Sequence, residues 1–338
     1  MIDSTYKMVS HSGHHERRWG FREIAESTIE NIKQGSFSFG DISYDLGASV
    51  RHLKQHTIYY PPDSVLSTWS LTPPSQPSDP SVSNSATDLS ILQLSVLEGA
   101  RHLSGVQPKS EDHSRIGVLS FASANKPGGG FLKGAQSQVG TFILLSSTFI
   151  VLSVNFLQEE SLARSSTLYP SLMTDTAQQF YRLHKHDPKD GYYSHSMIYS
   201  PRVVLFRDDR GDLNEPLEVD ILVSAAVNAG LVRRKLRETG STDESMLEAA
   251  MRERMARVLF LFERQGVKDL VLGSFGTGVF RNKVDLVATI WADLLSVDGA
   301  RFKDSFNRVV FAILDEKTFD EFRETFEKRT EGHRQGHT

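Results

Sequence analysis

Two adjacent glutamates, Glu159 and Glu160, lie in the stretch Gln158-Glu159-Glu160-Ser161-Leu162-Ala163-Arg164-Ser165-Ser166, which reads as the start of a helix. A carboxylic acid can protonate a leaving oxygen, and its carboxylate can then activate water. Hydrolysis of a glycosidic bond needs both steps as positive charge develops on the sugar. Two glutamates in a first helical turn also suit the helix dipole as a solvated cap, and residue types alone leave both readings open.

Two glycine-rich loops could serve the same chemistry. The first runs Ala124-Asn125-Lys126-Pro127-Gly128-Gly129-Gly130-Phe131 after an apolar run at 116–121. Three glycines let backbone approach a ligand closely, and their N–H groups can form a concave anion nest. The second runs Gly273-Ser274-Phe275-Gly276-Thr277-Gly278-Val279-Phe280. It lacks the third glycine of the dinucleotide fingerprint and the Gly-Lys-Ser/Thr of a P-loop. Either loop could be an ordinary turn, and Phe280 could pack on a ribose or on the core. Together they could clamp a diphosphate beyond the carboxyl ends of two strands.

The elements that would position these groups follow from periodicity. Residues 21–34 show helical spacing, with Gly35 as a stop. A Pro/Ser-rich linker covers 71–86. A helix is expected from Thr87 or Asp88, carrying Ile91, Leu92, Leu94, Val96, Leu97 and Ala100. Buried strands are expected at 116–121, 197–200, 203–206, 219–226, 269–275 and 309–314. Helices are expected from Ser241 to Gly266, with Ser241 and Glu244 as a capping box, and at 283–296 and 317–328. Strands alternating with helices imply a mostly parallel or mixed sheet with helices on both faces.

Composition narrows the function classes. With 38 basic and 42 acidic residues the net charge is −4, so no basic excess marks a duplex nucleic-acid binder. The absence of cysteine excludes disulfides, cysteine-ligated zinc and a cysteine nucleophile. His11, His14, His15, His333 and His337 lack helical zinc-motif spacing and read as tails, so no metal site is expected. The N-terminal residues show no secretory h-region, and a cytoplasmic or nuclear, monomeric protein is expected.

The segments PGGGFLKGAQSQ (127–138), QEESLARSSTLYPSL (158–172) and GSFGTGVFRN (273–282), with SFASANKPGGG, VSAAVNAG and RRWGFREIAESTIENIKQGSF, resemble the microbial-type poly(ADP-ribose) glycohydrolases. The resemblance implies a macrodomain-like three-layer α/β/α fold with a mixed sheet and an N-terminal helical extension. The implied division is an extension at 1–70, the linker at 71–86, the glycohydrolase domain at 87–330 and a tail at 331–338. It implies that Glu160 protonates the departing ribose oxygen and then activates water, while Glu159 holds hydroxyls of the leaving ribose. It also implies that Gly128, Gly129 and Gly130 approach the diphosphate and distal ribose of ADP-ribose, with Asn125 beside that ribose. Asn125 lies two residues before Pro127, where many relatives have asparagine directly before the proline. Gly276, Thr277, Gly278 and Val279 would form the opposing loop, and Phe280 would position the ribose carrying the scissile bond. The implied partner is poly(ADP-ribose) or an ADP-ribosylated protein, with no cofactor. Hydrolysis of mono-ADP-ribose esters and binding without turnover are the competing functions.

One departure stands out. The uncharged, apolar stretch 139–157 separates the glycine triplet from the glutamates. It is long enough to span a membrane, which needs about 20 residues, but its serines and threonines and its place within the active-site motif argue against a span. Deleting 139–158 joins GAQSQ to EESLARSS. The insert begins with Val, whose codons start GT, and ends with Gln, whose codon can be CAG, as a retained intron read in frame would. If translated, it is expected to displace Glu160 and leave the chain poorly active, since a shift of about 1 Å can cost roughly 100-fold in rate.

Overall fold

The computed structural model describes residues 9–73, 87–106, 114–133, 158–186 and 190–335. The chain opens with α1 (Val9–Gln34), the hairpin β1 (Ser36–Phe39) and β2 (Ile42–Asp45), then α2 (Gly47–His56) and β3 (Ile58–Tyr60). Next come β4 (Asp88–Leu92), α3 (Val96–Gly105) and β5 (Ile116–Phe121), followed by α4 (Gln158–Ser165), α5 (Leu168–Leu172) and α6 (Asp175–His186). The long strands β6 (Met197–Arg207) and β7 (Leu213–Ser224) lead to α7 (Ala229–Glu238), α8 (Ser245–Arg264) and β8 (Asp269–Leu272). The last elements are α9 (Val284–Leu295), β9 (Arg308–Ala312) and α10 (Glu316–Gln335). Residues 74–86 of the expected linker and 139–157 of the insert lie outside the described residues, as do the side chains of the five tail histidines.

Seven strands form one mixed sheet in the order β3-β6-β7-β5-β8-β9-β4. Neighbours from β7 through β4 run parallel, and β6 runs antiparallel to both β3 and β7. The parallel strands read as continuous apolar runs because both faces are covered. Leu119, Leu222 and Leu270 join α8, α9 and α10 in one core. Val118, Ile221 and Val271 point the other way, into a core with α3, α5 and α6. This is the expected three-layer, macrodomain-like α/β/α arrangement. The sheet also takes β3 from within the segment read as an extension.

The structure corrects several expected elements. Residues 88–92 form a strand, because Leu89 and Ile91 complete the sheet edge beside β9. The helix begins only after Ser95, where a capping box forms: Ser95 Oγ accepts from the Glu98 N–H, and the Glu98 side chain accepts from the Ser95 N–H. The box expected at Ser241 is absent. Ser241 Oγ accepts from Asp243 N–H, and Glu244 pairs with Arg233 and Lys283. The two candidates at 197–200 and 203–206 are one strand with a bulge at Pro201-Arg202. Proline has no N–H to give the ladder, so the interruption falls where it stands. The short helix α7 was not foreseen.

Candidate active site

Strands β7, β5 and β8 are parallel neighbours, so the loops leaving their carboxyl ends share one edge of the sheet. The β5 loop receives α4 from the side. Although α4 reads QEESLARS, Glu159, Glu160, Ser161, Arg164 and Ser165 are all buried. The reading of the glutamates as a solvated cap is therefore excluded.

Each of the first three α4 side chains is fixed by an amide of the β5 strand end or loop. Gln158 Oε1 accepts from Phe121 N–H at 2.8 Å, Glu159 Oε2 from Ser123 N–H at 2.7 Å, and Glu160 Oε1 from Gly130 N–H at 2.9 Å. Gly129 has φ +59°, and a Cβ there would fall 2.1 Å from Glu160 Oε1, so only glycine permits this approach. The glycine triplet faces the protein's own carboxyl groups: Gly130 N–H donates to Glu160 Oε1, and the Gly128 and Gly129 amides act on Glu159. Glu159 Oε1 and Glu160 Oε2 are buried and have no hydrogen-bond partner among the described residues.

Burial raises both carboxyls. Glu159 is pushed well above its ordinary 4.5, with the neighbouring Glu160 charge adding to the rise and the Ser123, Gly128 and Gly129 amides opposing it. Glu160 is raised by burial to about 6, against the pull of the Gly130 amide and the Arg164 charge. A carboxyl in that range can hold a proton near neutral pH and release it, as an acid that later serves as base must.

The β8 loop is built differently. Gly276 has φ +78°, and a Cβ there would fall 2.4 Å from the Ala226 Cβ and 2.6 Å from Asn282 Nδ2. Asn282 Nδ2 donates to Val227 O at 2.8 Å and Gly276 O at 3.0 Å, tying the loop to the end of β7. Among the described residues, the N–H groups of Gly276, Gly278, Val279 and Phe280 donate to no protein acceptor, whereas that of Thr277 donates to Ser274 O. Val279 is exposed, and Phe280 lies partly buried on the core with its ring 5.7 Å from that of Tyr193. The two loops meet through Phe121 and Phe275, whose rings lie 5.5 Å apart.

The sequence-derived residues thus converge at one end of the sheet, with Glu159 and Glu160 in direct contact with the glycine triplet. Asn125 is exposed, and its backbone N–H donates to Ser123 Oγ. Sequence reasoning missed Ser123, Arg164, Tyr193 and Asn282. Asn282 closes the GSFGTGVFRN segment and was the one within reach, while Tyr193 is marked only by its left-handed backbone, φ +55°. The expected displacement of Glu160 is not found. Gln158, the last residue of the 139–158 stretch, is anchored at Phe121, and Glu160 is held by Gly130, so α4 is seated on the β5 strand end and loop. Among the described residues no group of three or more potential metal ligands occurs, and no helix is long and apolar enough to cross a membrane.

A buried carboxyl pair held by loop amides, at the carboxyl edge of a mixed α/β sheet, has the groups that acid–base hydrolysis requires. The family model for the microbial-type PARG catalytic domain matches residues 25–155 and 151–208, two segments that overlap at 151–155, within the stretch 139–158. The crystal structure of poly(ADP-ribose) glycohydrolase from Thermomonospora curvata is 34% identical with a TM-score of 0.73, covering 93% of this chain and 99% of the other. The same enzyme bound to the inhibitor ADP-HPD matches at 33% identity, TM-score 0.71 and the same coverage. Poly(ADP-ribose) glycohydrolase from Deinococcus radiodurans in complex with ADP-ribose is 31% identical with a TM-score of 0.65, covering 82% and 97%. No curated protein matches in the corresponding sequence comparison. The chain belongs to the microbial-type PARG family.

Proposed function

We propose that the protein hydrolyses the ribose–ribose O-glycosidic bonds of poly(ADP-ribose), with Glu160 as the acid and then the base. The observation that carries this reading is the clamped pair, in which each carboxyl has one oxygen held by a loop amide and one buried oxygen without a partner among the described residues. Protonated Glu160 gives its proton to the departing ribose oxygen. As the carboxylate it then takes a proton from the water that attacks the cationic sugar carbon. Glu159 holds hydroxyls of the leaving ribose. The β8 loop offers its backbone N–H groups to the diphosphate, whose negative charge steadies the sugar cation, and Phe280 bears on the distal ribose. The β5 glycines act chiefly through the carboxylates they hold.

Incubation with end-labelled polymer tests the reading. Release of free ADP-ribose is expected. Release only from mono-modified protein, or binding without product, would overturn it.

The division into extension, linker and glycohydrolase domain remains the proposed organisation, with 139–158 as an insert. Removing 139–158 leaves Gln138 before Glu159, so the Phe121 N–H keeps a glutamine acceptor. The chains with and without the insert are therefore expected to show similar kcat. The insert-bearing form should aggregate more readily, because apolar runs such as FILL and FIVL favour association. Steady-state rates on matched soluble fractions check this, and a tenfold deficit with the insert would contradict it. Sequencing the mature transcript shows whether codons 139–158 persist.

A further inference from the structure

Arg164 stands one helical turn beyond Glu160 on α4, at the i+4 position that shares its face. It is 4% exposed, and its Nη1 is buried without a hydrogen-bond partner among the described residues. A buried guanidinium is costly unless charge or a π-face compensates it. Its Cζ lies 4.4 Å from the centre of the Phe21 ring on α1, and its backbone carbonyl accepts from Thr28 Oγ1 of the same helix at 2.6 Å. Two carboxyl groups bear on it. Glu160 precedes it by one turn on the same face of α4. Asp209, in the turn between β6 and β7, is tied to α4 by accepting from Ser161 Oγ at 3.3 Å, and it also accepts from Ser95 Oγ at 2.5 Å.

We propose that Arg164, clamped by Phe21 and shared between Glu160 and Asp209, is the positioning charge that sets the pH at which Glu160 gives up its proton. The inference rests on Glu160 being the acid and adds the device that tunes it. A cation beside Glu160 stabilises its carboxylate. Asp209 draws on the same cation and so acts in the opposite direction; burial raises its own carboxyl, with the Ser95 and Ser161 hydroxyls opposing the rise. Arg164 itself is pulled below its ordinary range by burial, with Glu160 and Asp209 both opposing that fall.

Among the described residues, the other charged or titratable groups on the elements packed around Glu160 are the following, together with Arg101 of α3, which donates to Glu215 O. On α4 there is Glu159. From α5 and α6 come Tyr169 and Tyr181, both raised by burial. From β6 comes Arg207, which donates to Gly211 O and Ser27 Oγ. The turn after β6 adds Asp208, whose carboxylate accepts from the Arg210 and Asp212 amides. On α3, Glu98 is committed to its cap. On α1, Arg22 and Glu26 pair with each other at the surface. On the β5 loop and the turn after it, Lys126 and Lys133 are exposed. Arg164 is thus the cation on α4 itself that faces the acid.

The test reads Glu160 directly, by 13C-detected titration of its carboxyl in labelled folded protein, so it does not depend on turnover. Wild type is expected to titrate at about 6. Arg164→Gln should raise the midpoint by about one pH unit or more, Arg164→Lys should restore most of that change, and Asp209→Asn should lower it. The alkaline limb of kcat/KM on polymer should move the same way, because the protonated acid is the active form. Midpoints unmoved in Arg164→Gln and Asp209→Asn, or moved in the same direction, would overturn the proposal. If Arg164→Gln fails to fold, Asp209→Asn decides alone: a lower midpoint supports the proposal, and an unchanged or higher one refutes it. An inactive wild type with the expected midpoints would refute the catalytic reading and leave this one standing.

Discussion

The loops after β5 and β8 leave adjacent parallel strands, and both are rich in glycine, yet they are wired in opposite ways. The β5 loop turns its amides inward onto Gln158, Glu159 and Glu160. The β8 loop is pinned from beneath by Asn282, and the N–H groups of Gly276, Gly278, Val279 and Phe280 donate to no protein acceptor among the described residues. Glycine serves a carboxylate in one case and frees donors in the other. The first loop should therefore govern the chemical step and the second should govern affinity. Damage to the two loops ought to separate into kcat and Kd.

The largest effect is expected from Glu160→Gln, which keeps the shape of the side chain but removes the acid. Turnover of polymer should fall about 10³-fold while ADP-ribose binding, followed by calorimetry, is retained. Next is Gly129→Ala. Its methyl would occupy the space of Glu160 Oε1, and pushing the carboxyl aside by about 1 Å should lower kcat roughly 100-fold. ADP-ribose affinity should barely change, and a loss confined to affinity would erase the contrast between the loops. Asn282→Ala should do the reverse. Without the bonds to Val227 O and Gly276 O the β8 loop loosens, and Kd for ADP-ribose should rise about tenfold, equivalent to about 1.4 kcal/mol, with kcat at saturation changed less.

The smallest effect concerns stability. Glu159 is raised by burial above its ordinary 4.5, so the folded chain keeps that proton at pH values where the unfolded chain has lost it. The associated stability is complete below pH 4.5 and declines as pH rises toward the folded value. Glu159→Gln should therefore raise Tm at pH 8 and change it little at pH 4.5, by about 2–4 °C for each kcal/mol recovered. A Tm gain equal at both pH values would show that the charge is not what costs stability there.

Periodicity made β5 to β9 and the helices α9 and α10 legible, because both sheet faces are covered there and each helix presents one apolar stripe, but it did not show β3. It failed at 88–92, where three apolar residues suit either period and only the open edge of β9 decides for a strand. It failed again at Ser241, because side-chain oxygens four residues upstream of α8 find other partners. The site was legible as a set of motifs, but its wiring was not. A helix reading QEESLARS looks solvated, and only the packing of α1, α3 and the β5 loop around it shows that its carboxyls are buried. Arg164 and Asp209 are separated by 45 residues in sequence, and nothing in composition signals that one lies beside the other.

The central claim is that the β5 loop aims Glu160 at the sugar while the β8 loop holds the diphosphate. A crystal structure of the protein with ADP-ribose tests it most directly. The distal ribose should lie within hydrogen-bond reach, about 3 Å, of the Glu160 carboxyl, with diphosphate oxygens on N–H groups from among Gly276, Gly278, Val279 and Phe280. ADP-ribose seated elsewhere, or a Glu160 carboxyl turned away from the ribose, would contradict the account.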